Sequence, residues 1–425
     1  MAKTNILLTT FNICDQPHYY SLALGYLKAF ALKDESVAKK ANIEIVDFCV
    51  DCNSVQQVMF YLASEKPDII AFSCYCWNMD KISDLCRLAK QIMPDVKIVL
   101  GGPEVGPITE EVLKENPAVD VVVRGEGEET FSELLKYYLT KKGRLEDISG
   151  VSYRKYGDVF RNEDRPLIQS LDEIPSPYLT GVLEPREKVT YLETYRGCPF
   201  RCAYCYEGKN YPKLRYFSEE RIRKEIELIS QNLAVQSFSF VDPVFNLNRD
   251  KTRKLCSMLN EAYQGNNTSL HTIEVATELI DDETIEEFKK ANVVSVETGP
   301  QTVVSGTLKN INRHFVPTKF TRGVKLLLKN NIKVLCDLII GLPGDNLFRF
   351  MKSVAFVSAL CPSTLIFSTL HILPGTELYV SGQKFDMKFD AKPPHHILSN
   401  YTFPYEEIRK AEILAVSLAK EYNIA

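Results

Sequence analysis

The chain has 425 residues, of which 45% are hydrophobic and 25% charged, the balance of a folded protein long enough for two or three domains. Its net charge of -4, with no lysine/arginine block, argues against a nucleic-acid or membrane-surface face, and no apolar run reaches the roughly 18 residues of a spanning helix. The opening MAKTNILLTTFNICD lacks the parts of a signal peptide, so a cytoplasmic protein is expected, with its 12 cysteines mostly reduced and some of them metal ligands.

In chain order, residues 5–10, 43–48, 69–74, 97–102 and 120–125 read as strands. Each is apolar throughout, as a parallel strand covered on both faces should be. Amphipathic stretches such as SLALGYLKAFALKD and DKISDLCRLAKQIM separate them. The pattern predicts an α/β fold: a doubly wound, parallel, five-stranded Rossmann-like sheet over residues 1–143. Residues 144–187 are proline-punctuated and read as a linker, with a small hairpin around GVSYRKYGDVF. A second series of strands follows at 189–194, 235–242, 272–277, 293–298, 334–341 and 365–373, predicting a partial (β/α) barrel over 188–375. Residues 376–425 form a small extension ending in an amphipathic helix.

The chemistry concentrates in TYRGCPFRCAYCY, where Cys198, Cys202 and Cys205 follow the first barrel strand. A structural zinc site wants a fourth protein ligand, and no Cys/His pair with suitable spacing follows. An iron–sulfur cube usually takes four thiolates, so three leave one iron open to a small molecule. Arg201 and the Arg-Gly before Cys198 place positive charge and backbone N–H groups near the sulfurs.

CxxxCxxC with an aromatic before its last cysteine resembles the radical S-adenosylmethionine (SAM) superfamily. The resemblance implies a 4Fe-4S cluster on Cys198, Cys202 and Cys205, whose open iron chelates SAM, and reductive cleavage of SAM to a 5′-deoxyadenosyl radical. It also implies SAM contacts from Tyr204, from Asp242 in SFVDPVFN, where the family usually carries a GGE-type segment, and from Glu297 and Gly299 in SVETGPQT. The turns GLPGD (341–345) and HILPGT (371–376) match loops that end later strands of such barrels.

Ligands of an open parallel sheet lie beyond the carboxyl ends of its strands. Here that rim comprises Ser73, Tyr75, Cys76, Trp77 and Asn78, then Gly101, Gly102, Pro103 and Glu104, then Gly125, Glu126, Gly127 and Glu128. The first turn has no GxGxxG and the chain no phosphate P-loop, which weakens a dinucleotide reading. LGYL, GGPEVG, RGEGEET and PSPYLTG, ahead of such a barrel, resemble the cobalamin-binding domain of one radical SAM subfamily. That resemblance covers nearly the whole chain and implies that these rim residues bind cobalamin. The DxHxxG motif that brings an axial histidine to cobalt in other cobalamin proteins is not matched: Asp15 and His18 stand one position too far apart, and the glycine is missing.

The function implied is a cobalamin-dependent radical SAM enzyme, a methyltransferase acting on an unactivated carbon or a phosphorus of a small molecule or peptide. Methylcobalamin would hold the methyl group, and the substrate would lie between sheet and barrel. The alternative keeps both cofactors and performs a rearrangement, ring contraction, oxidation or cyclisation. A methylthiotransferase ranks lower because the helical tail is unlike an RNA-binding barrel, and a non-enzymatic sensor ranks lower because the cysteine trio is intact. Partners implied are the substrate and an external electron donor such as a flavodoxin or ferredoxin. His395, His396 and Tyr401 are candidates to line the substrate site, and no general acid or base stands out.

Overall fold

The computed structural model describes residues 3–13, 21–263 and 269–424. The chain divides into two units, Met1–Glu184 and Pro185–Ala425. In the first unit the order is β1 (Thr4–Asn12), α1 (Leu22–Ala31), α2 (Glu35–Lys40), β2 (Ala41–Cys49), α3 (Val55–Glu65), β3 (Ile69–Ser73), α4 (Met79–Ile92), β4 (Lys97–Gly101), α5 (Thr109–Glu115), β5 (Val121–Val123), α6 (Gly127–Thr140), β6 (Val151–Lys155) and β7 (Asp158–Arg161).

The sheet order is β2-β1-β3-β4-β5-β6-β7. The first five strands are parallel, and both of their faces are covered. Leu7, Phe11, Ile70, Phe72, Ile98 and Leu100 enter one core, while Ile6, Leu8, Ile69, Ala71, Val99 and Val121 enter the other. This two-sided burial is the reason the strands read as unbroken apolar runs. Side-chain caps fix helix starts: Ser21 Oγ accepts from Leu24 N, and Ser54 with Gln57 forms a reciprocal capping box on α3.

Residues read as a linker instead extend this sheet. β6 runs antiparallel to β5, and β7 antiparallel to β6. Buried Arg124 fastens them, donating to Asp164 Oδ1 at 2.8 Å, Ser152 Oγ at 2.7 Å and the Asn162 carbonyl at 2.6 Å. The hairpin expected around GVSYRKYGDVF forms, and its pairing with β5 is a long-range contact that no local pattern encodes.

The second unit runs β8 (Val189–Leu192), β9 (Tyr195–Arg196), α7 (Tyr206–Asn210), β10 (Arg215–Tyr216), α8 (Glu219–Ser230), β11 (Ser237–Phe240), α9 (Arg249–Ala262), β12 (Ser269–Leu270), β13 (Ile273–Glu274), α10 (Asp282–Lys290), β14 (Ser295–Gln301), α11 (Ser305–Asn310), α12 (Pro317–Lys329), β15 (Lys333–Ile340), α13 (Leu347–Ser358), β16 (Thr364–Thr369), α14 (Glu377–Ser381), β17 (Lys388–Phe389), β18 (Ile397–Ser399) and α15 (Tyr405–Ile424). Parallel sheets β12-β11-β8 and β13-β14-β15-β16 form an open barrel wall, joined by a parallel bridge between Leu270 and Val293.

On β15 burial alternates. Val334, Cys336, Leu338 and Ile340 are buried, while Leu335, Asp337 and Ile339 on the opposite face are only partly covered. One face of the wall is therefore sealed, and the other lines an open interior. The C-terminal helix closes the last strand. Asn423 caps Leu365 through both its N–H and its carbonyl, and Thr369 Oγ1 donates to Glu412 at 2.8 Å. Among the described residues no helix is long and apolar enough to cross a membrane.

Candidate active site

The cysteine loop leaves β8 and is shaped by a small antiparallel ladder that the sequence pattern did not announce, β9 against β10. Gly197 stands between this ladder and Cys198 with φ +101, and a Cβ there would lie 2.3 Å from the Lys213 carbonyl oxygen. Only glycine satisfies both conditions. Cys198 N donates to the Tyr211 carbonyl at 3.0 Å, and Ala203 N to the Ile311 carbonyl at 2.9 Å, so the loop is held from two sides.

Cys198 and Cys202 are buried and Cys205 is half-buried, and all three are free thiols. Burial pushes the Cys198 thiol up to about 11, with neighbouring Cys205 and Cys202 adding to the rise, and burial also raises Cys205. The opposing influence is backbone N–H: Phe200 directs one at Cys198, and Glu207 and Gly208 direct theirs at Cys205. Mutual repulsion of crowded thiolates, countered by aimed donors, suits sulfurs bonded to a cationic centre. Among the described residues no three His, Cys, Asp or Glu side chains converge tightly enough to grip a single ion. A cube whose cysteines bond different corners does not require that convergence.

Of the barrel residues expected near SAM, Tyr204 and Gly299 come together through Arg313, which carried no motif. Arg313 Nη1 lies 3.1 Å from Tyr204 Oη and 3.5 Å from Cys202 Sγ, and its Nη2 donates to the Gly299 carbonyl. A Cβ on Gly299 would fall 2.5 Å from the Asp337 carbonyl oxygen, so this glycine lets β14 lie close on β15. Glu297 projects into the same interior, beside Glu274 on β13 and hydrogen-bonded to Asp337 on β15. The only sequence signal for these two extra carboxylates is an acidic residue inside an otherwise apolar strand.

Asp242 stands elsewhere in the network. It is 3% exposed, and its carboxylate accepts from Thr194 N at 2.7 Å and Thr194 Oγ1 at 2.5 Å, tying the end of β11 to the end of β8. Burial raises its pKa to about 7, against the lowering pull of those hydrogen bonds. Asp242→Ala would leave the Thr194 amide and hydroxyl without acceptors, and the expected cost is about 1–3 kcal/mol of stability in chemical denaturation. A change confined to SAM affinity, with stability unaltered, would instead assign Asp242 to the ligand. Asn246 of the same segment also serves the frame, exchanging two hydrogen bonds with the Ala276 backbone at 2.9 and 3.0 Å.

On the first unit, Asn78 knits the strand ends together, donating to Thr10 Oγ1, the Phe11 carbonyl and the Ser73 carbonyl at 3.1–3.2 Å. The turn this fixes presents Tyr75 and Trp77 stacked in parallel, with ring centroids 4.4 Å apart. Trp77 is 41% exposed and anchored by Nε1 to the Phe11 carbonyl at 3.2 Å. Cys76 between them is half-buried, and desolvation pushes its thiol up to about 11. Gly102, at φ +108, packs where a Cβ would meet the Cys74 carbonyl oxygen at 2.5 Å, whereas a Cβ on Gly125 would meet only open space.

Gly101 ends β4 beside Ser73 of β3, Pro103 follows in the same turn, and Glu104 is buried. Glu126 accepts from Ile168 N at 2.9 Å, and Gly127 opens α6, on whose first turn Glu128 is buried. The acidic residues of this rim thus turn inward to the frame, leaving an exposed aromatic platform beside small-residue turns. That surface fits a large, flat, amide-fringed macrocycle. His18, the one histidine of residues 1–184, and Asp15 lie outside the described residues.

Residues 192–357 match the radical SAM superfamily, and residues 16–135 match the B12 binding domain. Both sequence signatures thus sit on the two structures just described. The chain is a cobalamin-binding radical SAM enzyme.

An uncharacterized methyltransferase, PH0819 of Pyrococcus horikoshii, is 28% identical over 84% of this chain and 77% of its own length. The cobalamin-dependent radical SAM methyltransferase TokK of Streptomyces tokunonensis is 32% identical over 50% of this chain and 32% of its own. The anaerobic magnesium-protoporphyrin IX monomethyl ester cyclase of Rubrivivax gelatinosus is 27% identical over 77% of this chain and 59% of its own. The chain therefore spans only part of these last two proteins. In fold, it superposes on the radical SAM methyltransferase TsrM of Kitasatospora setae, solved with cobalamin and a [4Fe-4S] cluster, with a TM-score of 0.76 and 16% identity over 98% of this chain and 91% of TsrM. Methyl transfer has better support among the relatives than cyclisation.

Proposed function

We propose that this radical SAM enzyme methylates an unactivated carbon, or a phosphorus, of a small molecule or peptide. The observation that carries the reading is the three-thiol loop, with N–H donors aimed at its sulfurs and no fourth cysteine ligand in its motif. Cys198, Cys202 and Cys205 would hold a [4Fe-4S] cluster, which when bound would supply the electron for SAM cleavage, and bound cobalamin would carry the methyl group.

The chain's own residues set the conditions. N–H groups of Phe200, Glu207 and Gly208 offset thiolate charge, and Arg313 adds a permanent cation at Cys202. Tyr204 is held against Arg313, so its ring forms a fixed wall next to the cysteines. Glu297 and Gly299 line the barrel interior, where the sealed outer face of the strands keeps bulk water from the far side. The Tyr75–Trp77 platform and the turns at Gly101–Glu104 and Gly125–Glu128 are the surfaces for cobalamin. Reduction of the cluster calls for an external electron donor, such as a flavodoxin or ferredoxin.

Similarity to methyltransferases such as PH0819 and TokK supports methyl transfer, and similarity to the cyclase supports the second reading, a non-methylating radical reaction. Protein loaded anaerobically with iron, sulfide and hydroxocobalamin should be given SAM carrying a deuterated methyl group, together with candidate substrates. S-adenosylhomocysteine and 5′-deoxyadenosine appearing together, with a deuterated methyl on the substrate, is the expected result. Deoxyadenosine without methyl gain would replace it with the second reading.

A further inference from the structure

One cysteine departs from the expectation of reduced thiols. Cys49, the last residue of β2, is disulfide-bonded to a partner outside the described residues, while the other described cysteines are free thiols. Three positions on stands Cys52, so the two make a CxxC pair, Cys49-Val-Asp-Cys52, at the carboxyl rim of the first sheet. Cys49 is half-buried, and the Cys52 thiol is exposed. The described residues thus hold no framework of disulfides. A single cross-link with a free thiol three residues away has the arrangement of an exchange centre rather than of a structural staple.

The turn that carries the pair is closely tied. Cys49 N donates to Asn53 Oδ1 at 2.7 Å, and Asn53 N donates to the Cys49 carbonyl at 3.0 Å. Val50 N donates to the Asn12 carbonyl of β1 at 2.8 Å, and Ser54 then caps α3. The Lys81 ammonium, on α4, donates to the Val50 and Asn53 carbonyls, so a cation backs the turn. Within this frame Cys52 N donates to Cys49 Sγ at 3.0 Å. The residue that carries the exposed thiol is therefore folded back onto the bonded sulfur. That N–H, with Lys81 behind it, favours the negative charge that spreads over the sulfurs during exchange.

We propose that Cys49 and Cys52 form a thiol–disulfide exchange site that takes small thiols of the glutathione class, a function separate from the radical chemistry. In the first step the Cys52 thiolate attacks Cys49 Sγ. A Cys49–Cys52 bond forms, the existing bond of Cys49 breaks, and its electron pair leaves with the partner sulfur. That thiolate takes up the proton Cys52 released, so the step involves no net oxidation. In the second step two glutathione-class thiols each give up one electron and one proton to the Cys49–Cys52 bond. They become one disulfide, and both cysteines end as thiols. Cys52 is thus the solvent-facing entry through which the cross-link at half-buried Cys49 is opened and, in reverse, restored.

The test is peptide mapping of the full chain, wild type and Cys52→Ser. Each is equilibrated with oxidised glutathione, then given reduced glutathione for timed intervals and quenched with N-ethylmaleimide before trypsin digestion. No lysine or arginine separates Cys49 from Cys52, so both fall in one tryptic peptide. Wild type should pass through a form of that peptide closed on itself, two hydrogens lighter and unlabelled, before both cysteines take the label. Cys52→Ser should lack this form, collect glutathione on Cys49 instead, and open its cross-link about tenfold more slowly, because the neighbouring thiol acts at a high effective concentration. Should the variant fail to fold, the self-closed peptide in wild type alone decides. Wild-type Cys49 that still takes the label after oxidised glutathione, or opens with no self-closed peptide at any time, would overturn the proposal. Neither result touches the functional reading, which rests on Cys198, Cys202 and Cys205.

Discussion

Gly208→Ala is expected to give a folded protein that retains cobalamin and takes up no iron–sulfur cluster. A Cβ at Gly208 would lie 1.9 Å from the Phe200 carbonyl oxygen and 3.1 Å from Arg201 Cα, both backbone atoms of the segment between Cys198 and Cys202. Backbone cannot swing aside as a side-chain tip can, so α7 and that segment must part. The separation moves Cys205 away from the other two sulfurs and withdraws the Gly208 N–H aimed at it. Cys202→Ala should reach the same end point by deleting a ligand.

Iron and sulfide content should fall to background in both variants, and deoxyadenosine formation by about a thousandfold or more, equivalent to roughly 4 kcal/mol in the barrier. Cobalamin absorbance should survive, because its proposed surface lies in the other unit. Gly306→Ala is the control, since a Cβ there meets nothing within 4 Å. A Gly208→Ala protein with a full iron complement would remove the loop geometry from the account.

The sequence made the wall of each unit legible because β1–β5 and the barrel strands pair in parallel, and such strands read as largely apolar runs between helical periods. The cysteine loop was legible for a different reason, since three thiols at that spacing serve few purposes. Side-chain destinations were not legible. Glu126 reads as a rim carboxylate yet turns back to the Ile168 amide, and Asp242 faces Thr194, partners 42 and 48 residues away that no local pattern names. Arg124 likewise joins strands 28 or more residues apart, a connection that no local pattern encodes. That Glu274 stands beside Glu297 required knowing that positions 274 and 297 are register partners, which depends on strand alignment and not on either segment alone.

Arg313 is the residue whose loss should most clearly separate charge at the cysteines from mere scaffolding. It leaves the loop after α11, where it follows Asn312, a residue with φ +51 that hydrogen-bonds Glu377 at 2.8 Å. Its one guanidinium serves a cysteine sulfur, a tyrosine hydroxyl and a carbonyl, a spread that a single ammonium cannot copy. A cation donating to a cluster-bound thiolate stabilises the reduced, more negative state and so raises the reduction potential. Arg313→Ala should therefore shift the cluster midpoint to more negative values and slow SAM cleavage by about 10–100-fold, the usual scale for a residue that orients a metal ligand. Arg313→Lys should recover part of the potential, because the charge remains, and less of the cleavage rate, because Tyr204 and Gly299 lose their shared donor. Potentiometric titration followed by electron paramagnetic resonance, alongside deoxyadenosine yields, reads both effects. A midpoint unmoved in Arg313→Ala would mean that the Cys202 contact contributes nothing to the cluster.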